Sequence, residues 1–86
     1  MSDTDDLETQ VRGVLRDHGK LATPAATIAA DADLYAAGMT SHASVNVMLG
    51  LEGAFDLEFP DRLLTRASFQ SVAAIAAAIR EIRGGQ

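Results

Sequence analysis

The sequence predicts an all-α protein: a small four-helix bundle with three long helices, one short one and a long first loop. Three observations carry this expectation. Hydrophobic residues make up 48% of the chain and much of that is alanine, which has the best helix propensity and little preference for strands. Three segments repeat their large apolar side chains at helical spacing. At 86 residues, a second core would have too little apolar surface to bury, so one domain spanning residues 1–86 is expected, with its core at about 4–83.

The first helix is read from "DDLETQVRGVLRDHG". Leu7, Val11, Val14 and Leu15 follow i, i+4, i+7, i+8, which is one face of a helix. Ser2 or Thr4 can cap its start, and Asp3, Asp5, Asp6 and Glu8 suit the positive end of its dipole. Gly19 has the residue type of a C-cap. The next segment, "KLATPAATIAADADLYAAGM", carries Pro24, which discourages a continuous helix. Ile28, Leu34 and Met39 are spaced irregularly, so the segment is expected to be a loop pinned to the core by those side chains. At about 20 residues it is longer than ordinary connections and needs a functional or packing reason.

"SHASVNVMLGLEGAF" is helical by period. Val47, Met48, Leu51 and Phe55 share one face, while Val45 and Leu49 lie on a different flank together with His42. That second apolar strip exceeds what one core face needs. Gly50 and Gly53 weaken the helix by roughly 1 kcal/mol each relative to alanine. Phe59-Pro60 favours an extended residue and ends any helix there. Asp61 to Leu64 is a candidate single turn. Finally Val72, Ile75, Ile79 and Ile82 step 3, 4, 3, with Ser68 as the expected N-cap, Arg80 and Arg83 at the negative dipole end, and Gly84-Gly85 closing the helix.

The net charge is −5. Phosphate backbones and anionic membranes would repel such a chain, whereas basic protein partners would associate faster with it. The chain has no cysteine, which excludes disulfides, thiol catalysis and cysteine-ligated zinc. No apolar run approaches the ~20 residues needed to span a bilayer. The acidic start "MSDTDDLETQ" lacks a signal-peptide core. A soluble, cytoplasmic monomer is the expectation.

The stretch "GMTSHASV", Gly38 to Val45, sets a serine beside a histidine at a helix start. A nucleophilic serine needs a base within hydrogen-bond reach, itself oriented by a third group. His42 is adjacent, and on a helix it points about 100° away from Ser41. No His-Glu-x-x-His pattern or calcium loop accompanies His18 and His42. Thr40 or Ser41 can cap the helix. If Thr40 is the cap, Ser41 becomes the first helical residue with its hydroxyl pointing outward, a position that suits a phosphate ester.

Seen this way, the chain resembles the acyl carrier proteins. "DLYAAGMTS" is similar to that family's approach to its modified serine, with a leucine and a glycine ahead of it. Val45, Leu51, Glu52 and Phe55 match the family's second helix without a gap. "FDLEFPD" is close to the family's Phe-x-Ile-x-Ile-Pro-Asp. The resemblance implies an acyl-carrier-protein-like bundle in which Ser41 carries covalent 4′-phosphopantetheine, whose thiol holds cargo as a thioester. It implies a phosphopantetheinyl transferase, an acyl- or aminoacyl-adenylating ligase and a downstream acceptor enzyme as partners. Catalysis belongs to those partners and not to this chain.

Departures from the family pattern point to an atypical member. Thr40 stands where the family has aspartate, and His42 where it has leucine. Glu52 is the only acid of the second helix, so fatty-acid synthase enzymes, which read an acidic helix through basic patches, are not expected as main partners. A dedicated loading enzyme is expected, such as an amino acid:carrier protein ligase. Thr40, His42, Val45, Leu49 and Glu52 are the expected docking residues. Gly50 and Gly53 either admit a partner's backbone or are tolerated defects. The rival reading is an unmodified helical interaction module.

Overall fold

A computed structural model describes residues 3–22 and 24–84, with side chains from residue 6 onward. Helix α1 runs Asp3–His18, α2 Ser41–Phe55 and α3 Val72–Gly84. Helix α1 packs against both of the others. Of the expected α1 caps, Ser2 lies outside the described residues, as do the side chain of Thr4, the side chains of Asp3 and Asp5, and Gly85.

The helical stripes meet in one core. Leu15 and Val11 from α1, Val47 and Leu51 from α2, and Ile75 and Ile79 from α3 are fully buried. Truncating any such Leu or Ile to alanine costs about 2–5 kcal/mol. Loop residues Ile28, Leu34 and Met39 reach the same core, so they pin the first loop as their apolarity requires. Met48, by contrast, is only half-buried at the edge of the core.

The long loop owes its path to backbone bonds as well as to those anchors. The Arg12 side chain donates to the carbonyls of Ala25 (2.7 Å) and Ile28 (2.5 Å). A 3₁₀ turn at Ala25–Thr27 sits against α1 beneath this clamp. Further on, Leu34 N–H donates to Gln70 O at 2.7 Å, and Ala73 N–H donates to Ala30 O at 2.8 Å. These two bonds tie the loop to the start of α3 and satisfy a donor that the first turn of any helix leaves free.

That tie explains a correction. The N-cap of α3 is Ser71, whose hydroxyl accepts from Ala74 N–H at 3.0 Å, and not Ser68. The backbone at 70–73 is held by the loop, so the helix starts there. Ser68 lies instead inside a separate 3₁₀ turn at Ala67–Phe69, where its N–H meets the Thr65 hydroxyl at 3.3 Å. This local side-chain bond resets the chain before a longer helix can form. The short element expected at Asp61 to Leu64 is a 3₁₀ turn, Asp61–Leu63, separate from the one at Ala67–Phe69, and the described residues hold three α-helices.

Two glycine expectations also change. Gly19 ends α1 by donating to Leu15 O at 2.8 Å, but the left-handed residue after the helix is Lys20, with φ 53°. Gly50 is half-buried and faces α1. A Cβ built on Gly50 would lie 2.7 Å from His18 Cδ2 and 2.9 Å from Val14 Cγ1. Its missing side chain lets the protein's own helix approach. Around Gly53 a Cβ would meet nothing within 4 Å.

Candidate functional site

The approach to Ser41 is a tight series of turns. The Asp33 carboxylate accepts from Tyr35 N–H at 2.9 Å and from Ala36 N–H at 3.3 Å, an Asx turn that starts the bend. Met39 N–H donates to Leu34 O at 3.0 Å, and both of those side chains are buried. Between them Gly38 adopts φ 114°, and a Cβ there would stand 3.3 Å from Ala22 N. A side chain at Gly38 would therefore be strained twice, by backbone angle and by crowding.

The cap follows at once. Thr40 is extended, with φ −82° and ψ 166°, and its Oγ1 accepts from Ala43 N–H at 3.0 Å. Of the two capping alternatives, Thr40 is therefore the cap. Ser41 is the first helical residue and is exposed. Among the described residues its hydroxyl has no hydrogen-bond partner. The Ser41 carbonyl, one turn in, accepts from the Ser44 hydroxyl at 2.6 Å.

His42 is exposed beside it. Val45 and Leu49 are 51% and 55% exposed, which makes them two of the three exposed large hydrophobics of the described chain; Leu64 is the third. His42, Val45 and Leu49 thus form one open strip along α2, and none of the three belongs to the core. Glu52 is half-buried, and its carboxylate accepts from Phe59 N–H at 2.9 Å. It fastens the residue before Pro60 to the end of α2. Among the described residues no group of three or more His, Asp or Glu is placed to hold a metal ion.

A cavity of about 360 Å³ opens beside Ser41. Met48 and Phe69 lie at its more buried side, and Val45 and Leu64 form apolar walls. Its remaining lining includes Ser41, Thr65, Tyr35 and Arg66. The Arg66 guanidinium lies over the Tyr35 ring, 3.8 Å from its centroid. The half-burial of Met48 is explained here: it lines a cavity between α2 and the 64–69 segment. Tyr35, Leu64 and Arg66 were not singled out from the sequence. Tyr35 and Arg66 are far apart in the chain, and no periodic pattern links a loop residue to a turn residue.

Known proteins give this geometry its context. Residues 10–79 match the family described as the phosphopantetheine attachment site. The aminoacyl carrier protein of Agrobacterium fabrum is 51% identical over 80 residues, spanning 93% of this chain and 96% of the relative. The crystal structure of an engineered Bradyrhizobium japonicum glycine:carrier protein ligase, complexed with a carrier protein from Agrobacterium tumefaciens and ATP, contains a chain that superposes with a TM-score of 0.86. That chain is 53% identical and covers 88% of this one and 99% of itself. A second structure, of the B. japonicum ligase with glycylated carrier protein, matches with a TM-score of 0.66 at 31% identity, covering 90% of this chain and 99% of that chain. Helical architecture, the exposed serine at the head of α2 and these likenesses converge: the chain belongs to the acyl carrier protein family, that of the phosphopantetheine attachment site.

Proposed function

We propose that Ser41 bears 4′-phosphopantetheine and that the protein carries an aminoacyl group, loaded by an amino acid:carrier protein ligase. The observation that carries this reading is the Ser41 hydroxyl: exposed, without a hydrogen-bond partner among the described residues, and first in the helix behind the Thr40 cap. The residues fit the group. An uncommitted hydroxyl beside a cavity of about 360 Å³ leaves room for a chain to depart from it. When bound, the group supplies a thiol that holds cargo as a thioester.

The chain's own residues then have distinct duties. Thr40 fixes the start of α2 and so aims Ser41 outward. The turns at 33–39 hold that junction against the core. His42, Val45 and Leu49 offer a mixed polar and apolar strip to a loading enzyme. Val45 and Leu49 are already about half covered, so burying the rest in an interface would contribute about 1 kcal/mol each before the costs of association. Glu52, bonded to Phe59 N–H, acts mainly by bracing that surface. No step needs a catalytic side chain on this protein, so a transferase, the ligase and an acceptor enzyme do the chemistry. No described helix is long and apolar enough to cross a membrane, and the cytoplasm, where coenzyme A and ATP are available, is the compartment this role requires.

The aminoacyl assignment draws support from the carrier relatives, one of which is glycylated in complex with its ligase. The test is to incubate phosphopantetheinylated protein with ATP, a panel of amino acids and a glycine:carrier protein ligase. An ATP-dependent, hydroxylamine-labile mass gain from an amino acid is expected. No mass gain from any amino acid, while a carrier relative is loaded in the same mixture, would sink the aminoacyl reading.

A further inference from the structure

We propose that Arg66, held over the Tyr35 ring, is the seat for the phosphodiester that joins the arm to Ser41. The inference rests on the reading of Ser41 as attachment point and adds a binding residue to it. Three observations carry it. First, Arg66 and Ser41 line the same cavity. Second, Arg66 is uncommitted. Arg12 is spent on the carbonyls of Ala25 and Ile28, Arg16 on Asp17, and Arg62 on Glu81 at 2.8 Å. Arg66 makes no ion pair among the described residues, although the chain carries five more negative than positive charges. Third, its guanidinium is preorganised. Its central carbon lies 3.8 Å from the Tyr35 ring centroid, a cation–π contact that holds the group at the cavity while a guanidinium's five N–H donors stay available around its rim.

A phosphodiester is a monoanion with two free oxygens, and the guanidinium fork matches two such acceptors. The cation–π contact with Tyr35 restricts the side chain before the phosphate arrives, so less freedom is lost when the bonds form. No other cationic side chain lines the cavity. Seating the phosphate there would orient the base of an otherwise freely rotating arm along the wall formed by Val45 and Leu64.

The experiment uses phosphorus NMR on full-length protein modified with coenzyme A and a transferase, with intact mass recorded on every sample. The reference is a peptide of residues 38–45 carrying the same group. In the wild type the phosphodiester resonance should be displaced from the peptide's and relax faster. In Arg66→Gln the displacement should be lost. In Arg66→Lys, which keeps the charge but not the planar fork, most of it should be lost. Arg62→Gln should leave it unchanged. Equal resonances in wild type and Arg66→Gln, or an Arg66→Lys protein indistinguishable from wild type, overturn the role of Arg66 while the mass gain still upholds attachment. Absence of any mass gain in the wild type overturns the attachment reading, and this inference with it.

Discussion

The two glycines of α2 should respond to alanine with opposite signs. At Gly53 a Cβ would meet nothing within 4 Å, and the residue is exposed in the last turn of the helix. Replacing glycine by alanine in such a setting should stabilise the fold by about 1 kcal/mol at most, through backbone entropy alone. At Gly50 the same propensity gain is offset by crowding. The new methyl would lie 2.7 Å from His18 Cδ2 and 2.9 Å from Val14 Cγ1, well inside the ~3.5–4.0 Å optimum for carbon atoms. His18 is exposed and can swing away at the loss of its packing. Val14 is buried and β-branched, so its rotamer is fixed in the helix. The α1–α2 contact must therefore open. Overpacking of this kind costs roughly 1–3 kcal/mol. After subtracting about 1 kcal/mol for propensity, Gly50→Ala should be net destabilising by about 1 kcal/mol. Thermal and urea unfolding followed by circular dichroism would read both variants, and 1 kcal/mol corresponds to about 4–8 °C in a domain of this size. In a Val14→Ala background the Gly50→Ala penalty should vanish, because the blocking methyl is gone. Equal stabilisation by Gly50→Ala and Gly53→Ala would refute the close approach of the two helices.

Three further outcomes follow from the same contacts. Thr40→Ala removes the hydroxyl that accepts from Ala43 N–H and should cost about 1 kcal/mol in unfolding free energy, whereas Thr40→Asp, which keeps a capping oxygen, should leave stability near that of the wild type. Arg12→Met strips donors from the carbonyls of Ala25 and Ile28; urea melts should show a loss of about 2 kcal/mol, and hydrogen exchange should rise first in residues 24–39. Val45→Asp and Leu49→Asp alter side chains that are 51% and 55% exposed, so their melting temperatures should stay near wild type while ligase-catalysed loading slows at least tenfold. Unchanged loading in both would displace the docking strip from this face of α2.

What could be read from the sequence was whatever depends on local periodicity and caps. The limits of α2 were legible because Thr40 has a capping side chain and Phe55 ends an apolar stripe. The anchors Ile28, Leu34 and Met39 were legible because large apolar residues inside a polar, proline-broken loop have few other places to go. What stayed hidden depends on partners distant in the chain. Ser68 and Ser71 are equally good caps in isolation, and the choice between them is made by the bonds of Leu34 to Gln70 and of Ala73 to Ala30. Gly50 reads as a weak point of α2 until α1 is placed against it. Glu52 reads as a surface acid until the chain turns at Pro60 and brings Phe59 N–H to its carboxylate. Arg66 on Tyr35 joins two irregular segments, which share no period at all.

The most direct test of the account lies at Ser41. Apo protein, coenzyme A, magnesium and a panel of phosphopantetheinyl transferases are combined, and intact mass is followed by peptide mapping. The account predicts a gain of one phosphopantetheinyl group, mapped to Ser41 and abolished in Ser41→Ala. No gain with any transferase that modifies a standard carrier, or a gain that survives Ser41→Ala, would contradict it.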